Sequence, residues 1–206
     1  MGRKHLAEQS HRTARTGPVT PTAATWLRNH VFRLIAARAS APPGYARGVA
    51  TVRVETRIGA PPDVCFDLSR DVALHTHSAA HTGERAVAGT PAGLLSLGDE
   101  VTWEARHLGL RWRLTAQMTV FEPPRRFVDE QVRGPVRSFA HAHDFRPAAA
   151  GAAIIMVDTF RYEAPFGRLG QLAGALFLAR YLTHFLARRA AFLKEEAERC
   201  ATEKPA

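Results

Sequence analysis

Six segments in which apolar and polar residues alternate succeed one another between residues 82 and 163, with no space for a helix between them. They lie near 82–89, 99–107, 110–121, 125–132, 136–146 and 152–163, and the alternation predicts a half-buried strand in each. The breaks carry glycine or proline: Gly93, Leu108-Gly109, Glu122-Pro123-Pro124, Gly134-Pro135, and Pro147 to Gly151. A parallel pair needs a crossover of about a dozen residues or more, so breaks this short allow only antiparallel hairpins. A further strand begins at Thr51, where Val52, Val54 and Thr56 alternate with Arg53, Glu55 and Arg57. Pro61-Pro62-Asp63 then opens a short helix bearing Val64, Phe66 and Leu68, proline being tolerated in a first helical turn. A second helical piece is expected from Asp71 to His75. The chain closes on one long helix, about Arg168 to Arg199, apolar at Leu169, Leu172, Leu176, Phe177, Leu182, Phe185, Leu186 and Leu193.

Seven antiparallel strands in a curved sheet cannot cover their own concave face, and the closing helix is the element left to do so. The expected class is therefore α+β: a curved seven-stranded antiparallel sheet around a long C-terminal helix, with two short helices plugging one end. A sheet wrapped on a single helix encloses more space than side chains fill, so a cavity is expected. Length bounds the answer to one domain with an appendage, at 206 residues. The domain is expected over 49–199, preceded by a basic N-terminal arm (1–48) and followed by a disordered tail (200–206). Of the 28 bases and 19 acids, eight bases and one acid fall in residues 1–50, leaving the remainder at only +2. The net charge of +9 thus belongs to the arm and not to the fold. Within the arm, Thr22 or Thr25 is placed to cap a short Arg-rich helix through Ala39, with Trp26, Phe32, Leu34 and Ile35 as its apolar members.

The motifs along the domain resemble the START-like (Bet v 1-like, SRPBCC) superfamily, and within it the bacterial polyketide cyclase/dehydratase-like group. They are Phe66-Asp67-Leu68-Ser69, His81-Thr82-Gly83-Glu84, Gly98-Asp99-Glu100-Val101-Thr102-Trp103 with His107, and Arg126-Phe127-Val128-Asp129-Glu130-Gln131. Gly134-Pro135, Phe139-Ala140-His141-Ala142-His143-Asp144-Phe145, Asp158 and Pro165-Phe166-Gly167 continue the likeness, which spans about 51–197. The resemblance implies the helix-grip fold and a small hydrophobic ligand, while two isolated cysteines suit a reduced, cytoplasmic protein. Members of the superfamily carry lipids, hormones, polyketides or quinones, so the fold alone does not name the activity.

Alternation sorts the polar groups onto faces. Phe127, Asp129 and Gln131 share one face of their strand, as do Phe139, His141, His143 and Phe145 in the next. Trp103 goes with His107, and Met156 with Asp158 and Phe160. Setting these aromatic-bearing faces inward predicts a ligand-binding wall of Trp103, His107, Phe127, Asp129, Gln131, Phe139, His141, His143, Phe145, Met156, Asp158 and Phe160. Three readings of its His/Asp cluster are open. The side chains pair with one another and fix the cavity shape; or they grip the polar end of an apolar ligand; or His141 or His143, with Asp129 or Asp158, is a general base for cyclisation or dehydration. The leading expectation is non-catalytic binding or transport of a lipid, isoprenoid, quinone or polyketide-like molecule. The alternatives are a cyclase/dehydratase with a His base, and a regulatory or interaction protein with a vestigial cavity.

Other chemistry finds little support. Ten histidines invite metal, but no HExxH or zinc-finger spacing occurs and no third ligand follows from the His141/His143 pair, so no metal or other cofactor is expected. His75, His77 and His81 are expected on an exposed loop or the cavity rim. No GxSxG, GxGxxG or Walker loop is present. The two cysteines, Cys65 and Cys200, form no thiolate cluster, and Cys65 reads as a core thiol. Arg180, His184 and Arg188 form a basic helix stripe, which is either a solvated outer face or, through Arg180, an anchor for Asp129 or Asp158. The arm suits peripheral contact with anionic membrane; without a recognised module, no nucleic-acid partner is expected.

Overall fold

The structure, a computed structural model, describes residues 49–149, 153–163 and 167–203, with the side chains of the last helix from Phe177 onward. The N-terminal arm with its expected helix, and residues 204–206, lie outside these. The elements run β1 (Val49–Ile58), α1 (Pro62–Ser69), α2 (Val72–Ser78), β2 (Arg85–Gly89), β3 (Glu100–His107), β4 (Leu110–Glu122), β5 (Arg126–Arg133), β6 (Ser138–Pro147), β7 (Ile154–Glu163) and α3 (Gly167–Glu203). The strands make one seven-stranded sheet in the order β1-β7-β6-β5-β4-β3-β2. Every pairing is antiparallel. Apart from the β1–β7 closure, each strand lies beside its neighbour in sequence, which short hairpins dictate.

Local chemistry sets the element ends. Asp71 caps α2, its carboxylate accepting from the Leu74 amide at 2.9 Å. A single 3-10 turn, Ala80–Thr82, follows, and Gly83 stops it with φ of 64°, so the strand expected from 82 starts only at Arg85. The β3–β4 hairpin closes through Leu108 and Gly109, both at positive φ, beneath the His107/Leu110 pair. Gly89 also has positive φ, and a Cβ there would collide with the Glu100 carbonyl oxygen, so this bulged edge admits only glycine. Helix α3 runs to Glu203, past its expected end at 199. Arg199 bridges Glu196 and Glu203 one turn to either side, which extends the helix through what read as a tail.

Helix α3 is bound to β1 by polar contacts as well as by its apolar seam. Leu186, Ala190, Leu193 and Ala197 are buried at helical spacing and join Val54, Ile58, Cys65 and Phe66 in the core. Lys194 donates to the Arg57 carbonyl at 2.7 Å, and Glu198 accepts from the Gly59 amide at 2.8 Å. Arg180, His184 and Arg188 are exposed, so the basic stripe is the helix's outer face. Among the described residues, no helix is long and apolar enough to cross a membrane.

Cys65 is completely buried in α1, and that burial, reinforced by Asp63 and Glu198, pushes its thiol up to about 12. Cys200 is partly exposed. A native thiol titration with a chromogenic disulfide is therefore expected to report one prompt equivalent, Cys200, with the second appearing only in denaturant. Two prompt equivalents would show that α1 is not seated on the core.

Candidate functional site

Three adjacent strands bring the polar cluster together. In the β5–β6 register Asp129 faces His141 and Phe127 faces His143. In the β6–β7 register His143 faces Asp158 and His141 faces Phe160. Alternation then directs Asp129, His141, His143 and Asp158 to the concave side. The His143 Nδ1 lies 2.7 Å from the Asp158 carboxylate, and its Nε2 lies 3.7 Å from Asp129. The His141 Nε2 is 3.3 Å from the same Asp158 oxygen, and the two imidazoles approach to 4.0 Å between centroids. Neither His143 Nδ1 nor His141 Nε2 makes an aligned hydrogen bond. Their contacts to Asp158 fall off the N–H direction. Phe127 stacks on the His143 ring at 4.3 Å and holds its plane.

Electrostatics separates the two histidines. Burial drives His143 down, but the Asp158 charge and contacts with Asp129 outweigh it and hold the imidazole up at about 9. Burial and then the neighbouring His143 push His141 down. Burial favours protonation of Asp158 and Asp129, yet the adjacent histidines keep both below the usual carboxylate range. At neutral pH the cluster is two carboxylates, one imidazolium and one neutral imidazole.

A second polar group adjoins the first, with His75 and Arg189 bordering the same small void as His141 and His143. His75, on α2, stacks on Trp103 at 4.0 Å. Its Nε2 is 3.0 Å from Glu84, and its Nδ1 accepts from the Arg189 guanidinium at 2.8 Å. Arg189 also donates to Ser78 at 3.3 Å. Burial, then Arg189, push His75 down; burial opposes ionisation of Glu84, but His75 and Arg189 keep it low. Nearer the β3–β4 hairpin, His107 Nδ1 meets the Tyr181 hydroxyl at 2.5 Å, and burial lowers the His107 pKa.

These groups border a cavity of about 570 Å³ between the sheet and α3. Nine of the twelve residues expected from alternation line it: Trp103, His107, Phe127, Asp129, Gln131, Phe139, His141, His143 and Phe160. The other three are set back. Met156 and Asp158 border an adjoining void of about 30 Å³, and Phe145 packs edge-on against Phe66 in the core. Leu178, Tyr181, Leu182 and Phe185 of α3 close the cavity from the other side, and Leu114, Ala116 and Met118 of β4 extend the sheet wall. Sequence reasoning missed Glu84, Arg189 and Tyr181, and gave His75 both as the end of the second helical piece and as an exposed-loop or cavity-rim residue. That histidine is on a helix and lines the cavity, because the Asp71 cap carries α2 past residue 75; His77 and His81 are exposed. The signal for Arg189 was available: it falls at an apolar-stripe position, three residues after Leu186 and four before Leu193.

Comparison with known proteins supports the architecture. The sequence model of the family described as polyketide cyclase/dehydrase and lipid transport matches residues 49–198. Among solved structures, a Thermus thermophilus protein superposes with a TM-score of 0.60 at 20% identity, over 73% of this chain and 99% of that one. The Zhui aromatase/cyclase from Streptomyces sp. R1128 gives 0.59 at 15% identity, over 73% and 94%. The ginseng major latex-like protein 151 from Panax ginseng gives 0.54 at 14%, over 72% and 97%. At these identities the likeness is one of fold. A search of curated proteins returned no match.

Proposed function

The chain belongs to the polyketide cyclase/dehydrase and lipid transport family, and from that premise we propose that it binds a small, mainly apolar molecule whose polar end meets the Asp129/His141/His143 cluster. The observation that carries this reading is the cavity itself. At about 570 Å³ it has the size of sites that bury a drug-sized ligand, and its polar groups are gathered in patches on a largely aromatic and aliphatic wall. Lipids, isoprenoid quinones and polyketide-like molecules share this chemistry: an extended apolar body with a carbonyl, hydroxyl or carboxyl at one end. His143 and neutral His141 offer donors to such an oxygen, and Asp129 accepts from a hydroxyl.

The test is native mass spectrometry of the full chain purified from its own host, with organic extraction of whatever is bound, beside an Ala116→Trp variant. Ala116 is a small buried residue on the cavity wall. An indole there occupies space that the ligand needs. The wild type is expected to carry an apolar molecule, and the variant to fold but bind it about 5- to 150-fold more weakly, from a steric cost of about 1–3 kcal/mol. A wild-type protein that is isolated empty and takes up no fatty acid, quinone or aromatic polyketide refutes the reading.

One contact favours a second reading. His143 is held between Asp158 at 2.7 Å and Asp129 at 3.7 Å, an arrangement that fixes an imidazole for proton transfer to a bound carbonyl compound. Turnover of the extracted ligand, lost in His143→Ala with binding retained, would separate an enzyme from a carrier.

A further inference from the structure

We propose that Asp129, His141 and His143 together hold a divalent transition-metal ion of the zinc type, with its open coordination position facing the cavity. This does not depend on what fills the cavity.

Geometry is the first support. The three residues each offer a ligating atom, and these atoms lie within 4.8 Å of one another. Tetrahedral zinc, with bonds of about 2.0–2.1 Å, sets its ligand atoms about 3.4 Å apart. The 3.7 Å from His143 Nε2 to Asp129 already approaches that spacing. All three side chains stand on paired strands, Asp129 directly opposite His141, so the set is held by the sheet and not by a loop.

The second support is independent of spacing. His141 and His143 are 5% and 7% exposed, yet His141 Nε2 and His143 Nδ1 lack an aligned hydrogen-bond partner. An unengaged buried polar atom costs about 1–3 kcal/mol. Both atoms lie against Asp158, at 3.3 and 2.7 Å, but off the N–H direction, so neither ring is locked by that contact. Coordination through His143 Nε2 leaves Nδ1–H to align with Asp158, which a small turn of the ring achieves.

The surroundings have the form of a metal site's outer layer. Asp158 lies 2.7 Å from His143 on its Nδ1 side, while Nε2 faces Asp129. A carboxylate behind a ligating imidazole fixes its tautomer and strengthens it as a donor. The Phe127 ring, stacked on His143, limits its rotation. The two carboxylates balance the charge of a divalent ion. Two imidazoles select zinc-like ions over magnesium or calcium, which prefer all-oxygen shells. Three protein ligands leave a position for water or for an oxygen of a cavity ligand, which the ion would polarise. The sequence concealed the site because its third ligand lies twelve residues from the HxH pair, on another strand.

The full chain, stripped with a chelator, is titrated with zinc by calorimetry and with cobalt by visible absorption. One equivalent is expected at a Kd of about 1 µM or tighter, with cobalt showing the intense d–d bands of a tetrahedral site. Asp129→Asn, which preserves shape, and His141→Ala are each expected to weaken binding about 100-fold or more. His77→Ala and His81→Ala, at exposed positions, are expected to change nothing. Urea midpoints of the stripped variants verify that they fold, and added zinc should raise the midpoint of the wild type alone. No binding by the wild type, or one-equivalent binding that survives in the Asp129→Asn/His141→Ala double variant, overturns the proposal. Failure of the ligand reading is seen separately, as an empty cavity in the native mass spectrum.

Discussion

Asp158→Ala is expected to lower the unfolding free energy of the metal-free protein by about 3–5 kcal/mol, the cost of removing one partner from a buried charge cluster. Asp158 is 4% exposed and touches both cavity histidines. Without it, the His143 imidazolium keeps only Asp129, which is 3.7 Å away and borders the cavity. The protein must then hold a poorly compensated charge in the interior or give up the proton. Asp158→Asn retains the shape and an acceptor oxygen but not the charge, so its loss should be smaller. The measurement is urea unfolding at neutral pH in chelator, followed by far-ultraviolet circular dichroism. A loss below about 1 kcal/mol for the alanine variant would mean that water, not Asp158, solvates the histidines.

The contrast between Asp158 and Asp129 orders the site by depth. Asp158 lies behind the histidines, against the small void that α1 and α3 close, and its role is to place and charge them. Asp129 lies in front, on the cavity wall, where a ligand or an ion reaches it. Substitution at the rear should appear mainly in stability; substitution at the front should appear mainly in binding.

This depth was not legible in the sequence, although much else was. Strand alternation needs only the side-chain period of two, so the faces bearing Asp129, His141 and His143 could be read from residue order alone. The hairpins were equally legible, because Leu108-Gly109 and Gly134-Pro135 leave the chain no other route. What alternation cannot give is curvature. Phe145 and Met156 share a face with the site residues, but the sheet bends them toward α1 and away from the cavity. Contacts between elements far apart in sequence were also invisible. His75 meets Glu84, Arg189 and Trp103 only after α2, β3 and α3 have packed, and nothing local marks that histidine. Arg189 carried a signal, a charged residue on an apolar stripe, that was overlooked beside the basic stripe of Arg180, His184 and Arg188 at four-residue spacing on the other side of the helix.

Phe66→Ala tests how far the site depends on the short helices. Phe66 is 1% exposed, and its ring meets Phe121, Phe127 and Phe145 at 5.5, 5.5 and 5.6 Å. Edge and tilted contacts of this kind add to the burial of each ring. Truncation to alanine is expected to cost about 3–5 kcal/mol, through lost transfer free energy and the void left behind. The effect should extend beyond stability. Phe127 is held by Phe66 on one side and stacks on His143 on the other, so the void frees the ring that sets the imidazole plane. Ligand binding is therefore expected to fall along with stability, even where the variant is fully folded. Phe66→Leu, which fills most of the void, is expected to recover about half of the stability or more. Chemical denaturation gives the first quantity and titration with the extracted ligand gives the second. If Phe66→Ala is destabilised as expected but binds with wild-type affinity, the aromatic wall is positioned by the sheet alone, and α1 serves only to close the end of the cavity.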